Sequence, residues 1–93
     1  MRESENNIKQ IAILGSTGSI GKQALEVIAS HPDRFEIYAL TANNNVDLLI
    51  SQAIKFKPDT VVIATESNYL KLKDALAGYQ IKVYAGSDAI AQV

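Results

Sequence analysis

Three glycines at intervals of three residues, in ILGSTGSIG (13–21), constrain this chain more than any other feature. They follow a short apolar run, IAIL (11–14), and precede a stretch whose apolar residues recur at helical spacing. A strand that turns directly into a helix needs a sharp bend, main chain that a ligand can approach, and close helix–sheet packing. Gly15, Gly18 and Gly21 stand in order for these three tasks. Such a helix start presents unpaired N–H groups and favours an anion by about 0.3–1 kcal/mol at an exposed site. Ser16, Thr17 and Ser19 add hydroxyl donors beside it. The spacing G-x-x-G-x-x-G is a variant of the dinucleotide fingerprint, and the turn is either a phosphate seat or a structural corner.

The remaining pattern supplies the context that the fingerprint requires. IAIL reads as a strand buried on both faces of a parallel sheet. From Ser19, a helix with Ile20, Ala24, Val27 and Ile28 on one face runs to Pro32. FEIYALTA (35–42) is a second strand, and VDLLISQAIKF (46–56) a helix with Leu49, Ala53 and Phe56 inward and Asn45 as N-cap. TVVIA (60–64) is a third strand, and Ser67 is placed to cap a helix bearing Leu70, Leu72, Ala75 and Leu76 before Gly78. IKVYA (81–85) is a fourth strand, and Ser87 would cap a helix cut off by the end of the chain. This alternation predicts an α/β fold, a Rossmann-like doubly wound parallel sheet truncated after about four strands. The expected strand order is 3-2-1-4, with ligand at the reversal between strands 1 and 4.

Ninety-three residues, 47% of them apolar, make one core and no second. A formal net charge of −1 gives no basic field to track nucleic acid. With no cysteine, thiolate metal sites, disulfides and thiol nucleophiles are excluded, which is compatible with a reducing cytoplasm. MRESENNIKQ (1–10) has no apolar stretch of signal-peptide length, and no membrane span follows, so a soluble, cytoplasmic chain is expected. His31 belongs to a helix end, the four tyrosines to packing, and Lys71, Lys73 and Asp74 to a solvated face. No carboxylate pair, histidine cluster or serine–histidine arrangement offers reaction chemistry, so no catalytic residue is assigned.

The tip of the second strand bears on which cofactor fits. NAD-selective domains usually place an acidic residue there to hold the ribose 2′-hydroxyl. Here the position holds Asn43, Asn44 and Asn45, whose amides do not repel a 2′-phosphate and can donate to it. Glu36 lies at the wrong end of the strand, and Asp47 falls in the next helix's first turn. NADP is allowed, and turn or capping roles remain the alternative for each asparagine.

The combination of GSTGSIG, ALEVI, HPDRF, the pattern AL-x-A-x-x-N and F-x-P resembles the N-terminal cofactor domain of the 1-deoxy-D-xylulose 5-phosphate reductoisomerases over nearly the whole chain. The resemblance implies that residues 1–93 are the N-terminal part of a Rossmann-like NADPH domain, with catalytic and C-terminal domains lying beyond Val93, in a homodimer. It implies rearrangement and NADPH-dependent reduction of 1-deoxy-D-xylulose 5-phosphate to 2-C-methyl-D-erythritol 4-phosphate, in non-mevalonate isoprenoid biosynthesis. A divalent metal, magnesium or manganese, assists, with its ligands outside this chain. Cofactor contacts carry over to Thr17, Gly18, Ser19 and Ile20, and to Asn43, Asn44 and Asn45. Asn44 replaces a basic residue common in the family, so one charge that would pair with the 2′-phosphate is missing. The chain alone is expected to be inactive. The alternatives are a stand-alone nucleotide-sensing module and another NADP-dependent dehydrogenase, such as a semialdehyde dehydrogenase.

Overall fold

The computed structural model describes residues 8–86 and Ala89. Four parallel strands, β1 (Lys9–Ile13), β2 (Phe35–Ala42), β3 (Thr60–Ile63) and β4 (Lys82–Ala85), alternate with helices α1 (Ser19–Ala29), α2 (Val46–Phe56) and α3 (Tyr69–Ala75). β2 and α2 occupy the residues that periodicity predicts. The α/β, Rossmann-like class holds. Of the expected helix after Ser87 only Ala89, which is helical, falls among the described residues.

Strand order departs from expectation. It is β1-β2-β3-β4 rather than 3-2-1-4, with β4 paired to β3 and not to β1. The helix packing gives the reason. Leu25 and Ile28 of α1, Leu49 and Ala53 of α2, and Leu72 of α3 all enter one core cluster with Ile37, Leu40, Val61 and Ile63 of the sheet. A right-handed crossover that doubled back to β1 would carry α3 to the opposite face, whereas continuing past β3 keeps it beside α2.

β1 is therefore an edge strand among the described residues. Instead of being buried on both faces it is largely exposed, with only Ile13 buried and Leu14 beyond it 64% exposed. Its pairing with β2 slips once: Ile11 faces Ile37 and Ala12 faces Ala39, leaving Tyr38 as the extra residue of a bulge. The slip lets Ile37, Leu40 and Ala42 reach the same core. Tyr38, Tyr79 and Tyr84 are exposed, so packing does not account for them as expected.

Two helices differ in phase or start. α1 buries Gly21, Leu25 and Ile28, while Ile20 is 83% and Val27 57% exposed, because the inward face is set by contact of Gly21 with the turn. Ser67 is not a cap; it lies within a 3-10 turn over Glu66–Asn68, and Asn68 precedes α3 without a side-chain capping bond. Leu72 and Leu76 are buried as predicted, but Leu70 is exposed. His31 sits in the turn after α1, its ring edge-on to Phe35 at 6.4 Å.

Candidate cofactor site

Parallel pairing sets the C-terminal ends of β1 and β2 side by side, Ile13 against Leu40. The glycine turn and the three asparagines thus leave the sheet at one edge, and the predicted contacts fall into two neighbouring groups.

The turn is built by two glycines with separate duties. Gly15 adopts φ +78, a conformation that a side chain disfavours. At Gly21 a Cβ would lie 2.3 Å from the Gly15 carbonyl oxygen and 2.7 Å from Ser16 Cα, so α1 rests directly on turn backbone. Gly18 meets no such obstacle, the nearest atom being 3.5 Å away. Its missing side chain leaves room on the outer side of the turn.

Four hydrogen bonds pin the turn from behind. The Gly15 N–H donates to Thr41 Oγ1 at 3.0 Å, and the Ser16 N–H to the Thr41 carbonyl at 2.8 Å. The Ser16 hydroxyl donates to Gln52 Oε1 at 2.6 Å, and Gln52 Nε2 donates to the Ser16 carbonyl at 2.8 Å. Ser16 is fully buried, so its hydroxyl is not one of the donors beside an anion that the sequence suggested. Gln52 was missed. The signal was available, since a glutamine falls among Leu49, Ala53 and Phe56 on the apolar side of α2.

The outer side of the turn is open. Gly18 is the N-cap of α1 and supplies no side-chain bond, and the first turn holds no acidic residue. Among the described residues the N–H groups of Thr17, Ser19, Ile20 and Gly21 have no acceptor, while the first intrahelical bond runs from Lys22 to Gly18. Thr17 is half-buried and Gly18, Ser19 and Ile20 are exposed. A shallow groove of about 600 Å³ runs alongside, walled by Ile13, Leu14 and Ile20.

At the neighbouring strand, Asn45 is the N-cap of α2 and its Oδ1 accepts from the Leu48 N–H at 3.3 Å. The Asn43 carbonyl accepts from Thr65 N–H at 3.0 Å and Thr65 Oγ1 at 2.9 Å, and the Asn44 carbonyl from Asn68 Nδ2 at 3.2 Å. The main chain of the segment is thereby fixed while all three asparagines stay exposed. Asp47 lies in the first turn of α2, as expected, with its carboxylate 2.7 Å from Lys71 Nζ. Glu36 is at the far end of β2 and accepts from Gln10. Among the described residues no group of three or more histidines, cysteines or carboxylates could hold a metal ion, and no helix is long and apolar enough to cross a membrane.

A parallel α/β sheet whose first strand turns through a glycine corner into an uncapped helix, with amides at the tip of the adjacent strand, defines a nucleotide-binding domain of Rossmann type. Comparison with known proteins narrows this. Residues 11–93 match the family model of 1-deoxy-D-xylulose 5-phosphate reductoisomerase, and the chain belongs to that family. The reductoisomerase of Phocaeicola vulgatus is 67% identical over 85 residues, covering 91% of this chain and 22% of that protein. That of Bacteroides thetaiotaomicron is 65% identical over 91 residues, covering 98% and 23%. Among solved structures, the Zymomonas mobilis reductoisomerase in complex with NADPH superposes with a TM-score of 0.90 at 40% identity, over 94% of this chain and 23% of that one. A reductoisomerase in complex with NADPH, fosmidomycin and magnesium gives 0.82 at 36% identity, over 88% and 20%. The chain thus spans less than a quarter of the length of these relatives.

Proposed function

We propose that residues 1–93 are the N-terminal part of the NADPH-binding domain of a 1-deoxy-D-xylulose 5-phosphate reductoisomerase. The observation that carries this reading is the open first turn of α1, with N–H groups at Thr17, Ser19, Ile20 and Gly21 left without acceptors among the described residues. Four donors at a helix start suit a pyrophosphate, and nothing acidic in that turn opposes it. Thr17, Gly18, Ser19 and Ile20 would hold the pyrophosphate, and Asn43, Asn44 and Asn45 the adenosine ribose and its 2′-phosphate. Asp47 is the one carboxylate in the first turn of α2, and its ion pair with Lys71 offsets the repulsion it would exert on that phosphate. Bound NADPH supplies a hydride; these residues bind and orient it.

The whole enzyme rearranges and reduces 1-deoxy-D-xylulose 5-phosphate to 2-C-methyl-D-erythritol 4-phosphate with magnesium or manganese, as a cytoplasmic homodimer. The metal ligands and catalytic groups are supplied from outside this chain. Relatives solved with NADPH, fosmidomycin and magnesium support this assignment. The test is a chimaera in which this chain replaces the matching stretch of the Bacteroides thetaiotaomicron reductoisomerase, 91 aligned residues at 65% identity. With substrate and magnesium, NADPH oxidation within about tenfold of the parent is expected, a change of about 1.4 kcal/mol in the barrier. A folded chimaera that binds substrate but oxidises no NADPH would contradict the proposal. The 93-residue chain alone, given the same reagents, is expected to show no turnover.

A further inference from the structure

Resting on the reading of α1 as a pyrophosphate seat, we propose that Gln52 of α2 is a positioning residue for that seat, acting through Ser16. A glutamine is a poor occupant of the buried face of a helix unless both ends of its amide are satisfied. Gln52 is only 7% exposed, and both ends are satisfied by one residue: Oε1 accepts the Ser16 hydroxyl at 2.6 Å, and Nε2 donates to the Ser16 carbonyl at 2.8 Å. This closed pair joins α2 to the turn across 36 residues of sequence. It does so at the residue between Gly15, which reverses the chain, and Thr17, the first open N–H.

The geometry fixes more than position. With its N–H held by the Thr41 carbonyl and its own carbonyl held by Gln52, Ser16 has both flanking peptide planes set. The Ser16–Thr17 peptide carries the carbonyl that Gln52 holds and the N–H that faces outward. Releasing the carbonyl frees that plane to rotate and moves the Thr17 N–H out of line with an incoming phosphate. Thr41 alone holds only the N-terminal side of Ser16.

The experiment uses the chimaera with the Bacteroides thetaiotaomicron reductoisomerase, and compares the wild-type sequence with Gln52→Met, which keeps length and burial but loses both bonds, and with Ser16→Ala, which loses one. Leu76→Ala, in the core at the end of α3, serves as a variant destabilised without touching the turn. NADPH dissociation constants are measured at a temperature where each variant is folded, and exchange of the hydrogen-bonded amides of Ser16 and Gly18 is followed without ligand. Gln52→Met is expected to weaken NADPH binding at least tenfold and Ser16→Ala by less, with faster exchange confined to the turn, while Leu76→Ala leaves both unchanged. Binding within twofold of wild type in Gln52→Met would overturn the inference and leave the cofactor reading standing. If the folded wild-type chimaera itself fails to bind NADPH, the cofactor reading fails. Amide exchange then decides the role of Gln52: faster exchange in Gln52→Met alone upholds its hold on the turn, and unchanged exchange refutes it.

Discussion

Replacing Gly21 by alanine perturbs the contact on which the turn is built. The new Cβ would stand 2.3 Å from the Gly15 carbonyl oxygen, a shortfall of about 1.1 Å against the 3.4 Å at which ordinary contact begins. It would also lie 2.7 Å from Ser16 Cα and 3.0 Å from Ser16 C, and all three obstacles are backbone atoms with no rotamer to relieve them. Either α1 shifts away from the sheet or the turn opens. Overpacking costs about 1–3 kcal/mol and more where the neighbour cannot move, while alanine's helix preference over glycine offsets about 1 kcal/mol. A net loss of about 2 kcal/mol follows, or a fall in Tm of about 8–16 °C for a domain of this size. Thermal unfolding followed by far-ultraviolet circular dichroism measures it. The matched variant is Gly18→Ala, whose Cβ meets nothing nearer than 3.5 Å; its only cost is a poorer N-cap of α1, about 0.5–1 kcal/mol, so Tm should fall by about 2–8 °C, less than in Gly21→Ala. It places a methyl group where the phosphate must approach, so NADPH binding should weaken by tenfold or more. A Gly21→Ala chain that melts at or above the wild-type temperature would refute the claim that helix and turn touch through that glycine.

Other substitutions probe the supports of the site. Thr41→Val keeps the shape of a nearly buried side chain but leaves the Gly15 N–H without its acceptor, so a loss of about 1–3 kcal/mol is expected by urea denaturation. Asn45→Ala removes the cap bond to Leu48 and should cost about 1 kcal/mol by the same method, together with a measurable loss of NADPH affinity. Lys57 holds φ 51 at the C-cap of α2, a conformation suited to glycine. Lys57→Gly should therefore stabilise by about 0.5–1 kcal/mol, read as a rise in Tm. Because Asn44 carries no charge, the ratio of NADH to NADPH dissociation constants should be smaller than in an Asn44→Arg variant, and equal ratios would remove the 2′-phosphate from that position.

What could be read in the sequence follows the range of the forces involved. β2, α2 and the Asn45 cap are specified by neighbours a few residues apart, and each lies where periodicity and capping chemistry put it. The glycine corner was legible because a positive φ at Gly15 and close packing at Gly21 each admit hardly any other residue. The phase of α1 was not, because Ile20 and Val27 are as apolar as Leu25, and only contact with the turn decides which face is inward. Strand order lies further from local sequence still, being settled by α3 packing beside α2. The inward turn of Ser16 and its pairing with Gln52 required two segments 36 residues apart to meet. The 3-10 turn at Glu66–Asn68 displaced a cap that Ser67 had the chemistry to provide.

If the edge formed by the glycine turn and the asparagines holds NADPH, the backbone amides along it respond to the cofactor. Titrating the isotopically labelled chain with NADPH, while recording backbone amide resonances, tests it most directly. Saturable shifts concentrated at Thr17, Gly18, Ser19 and Ile20, with a second group at Asn43, Asn44 and Asn45, are the predicted result. An absence of saturable shifts, or shifts centred instead on the groove between α3 and β4 around Tyr69, Tyr79 and Lys82, would contradict it.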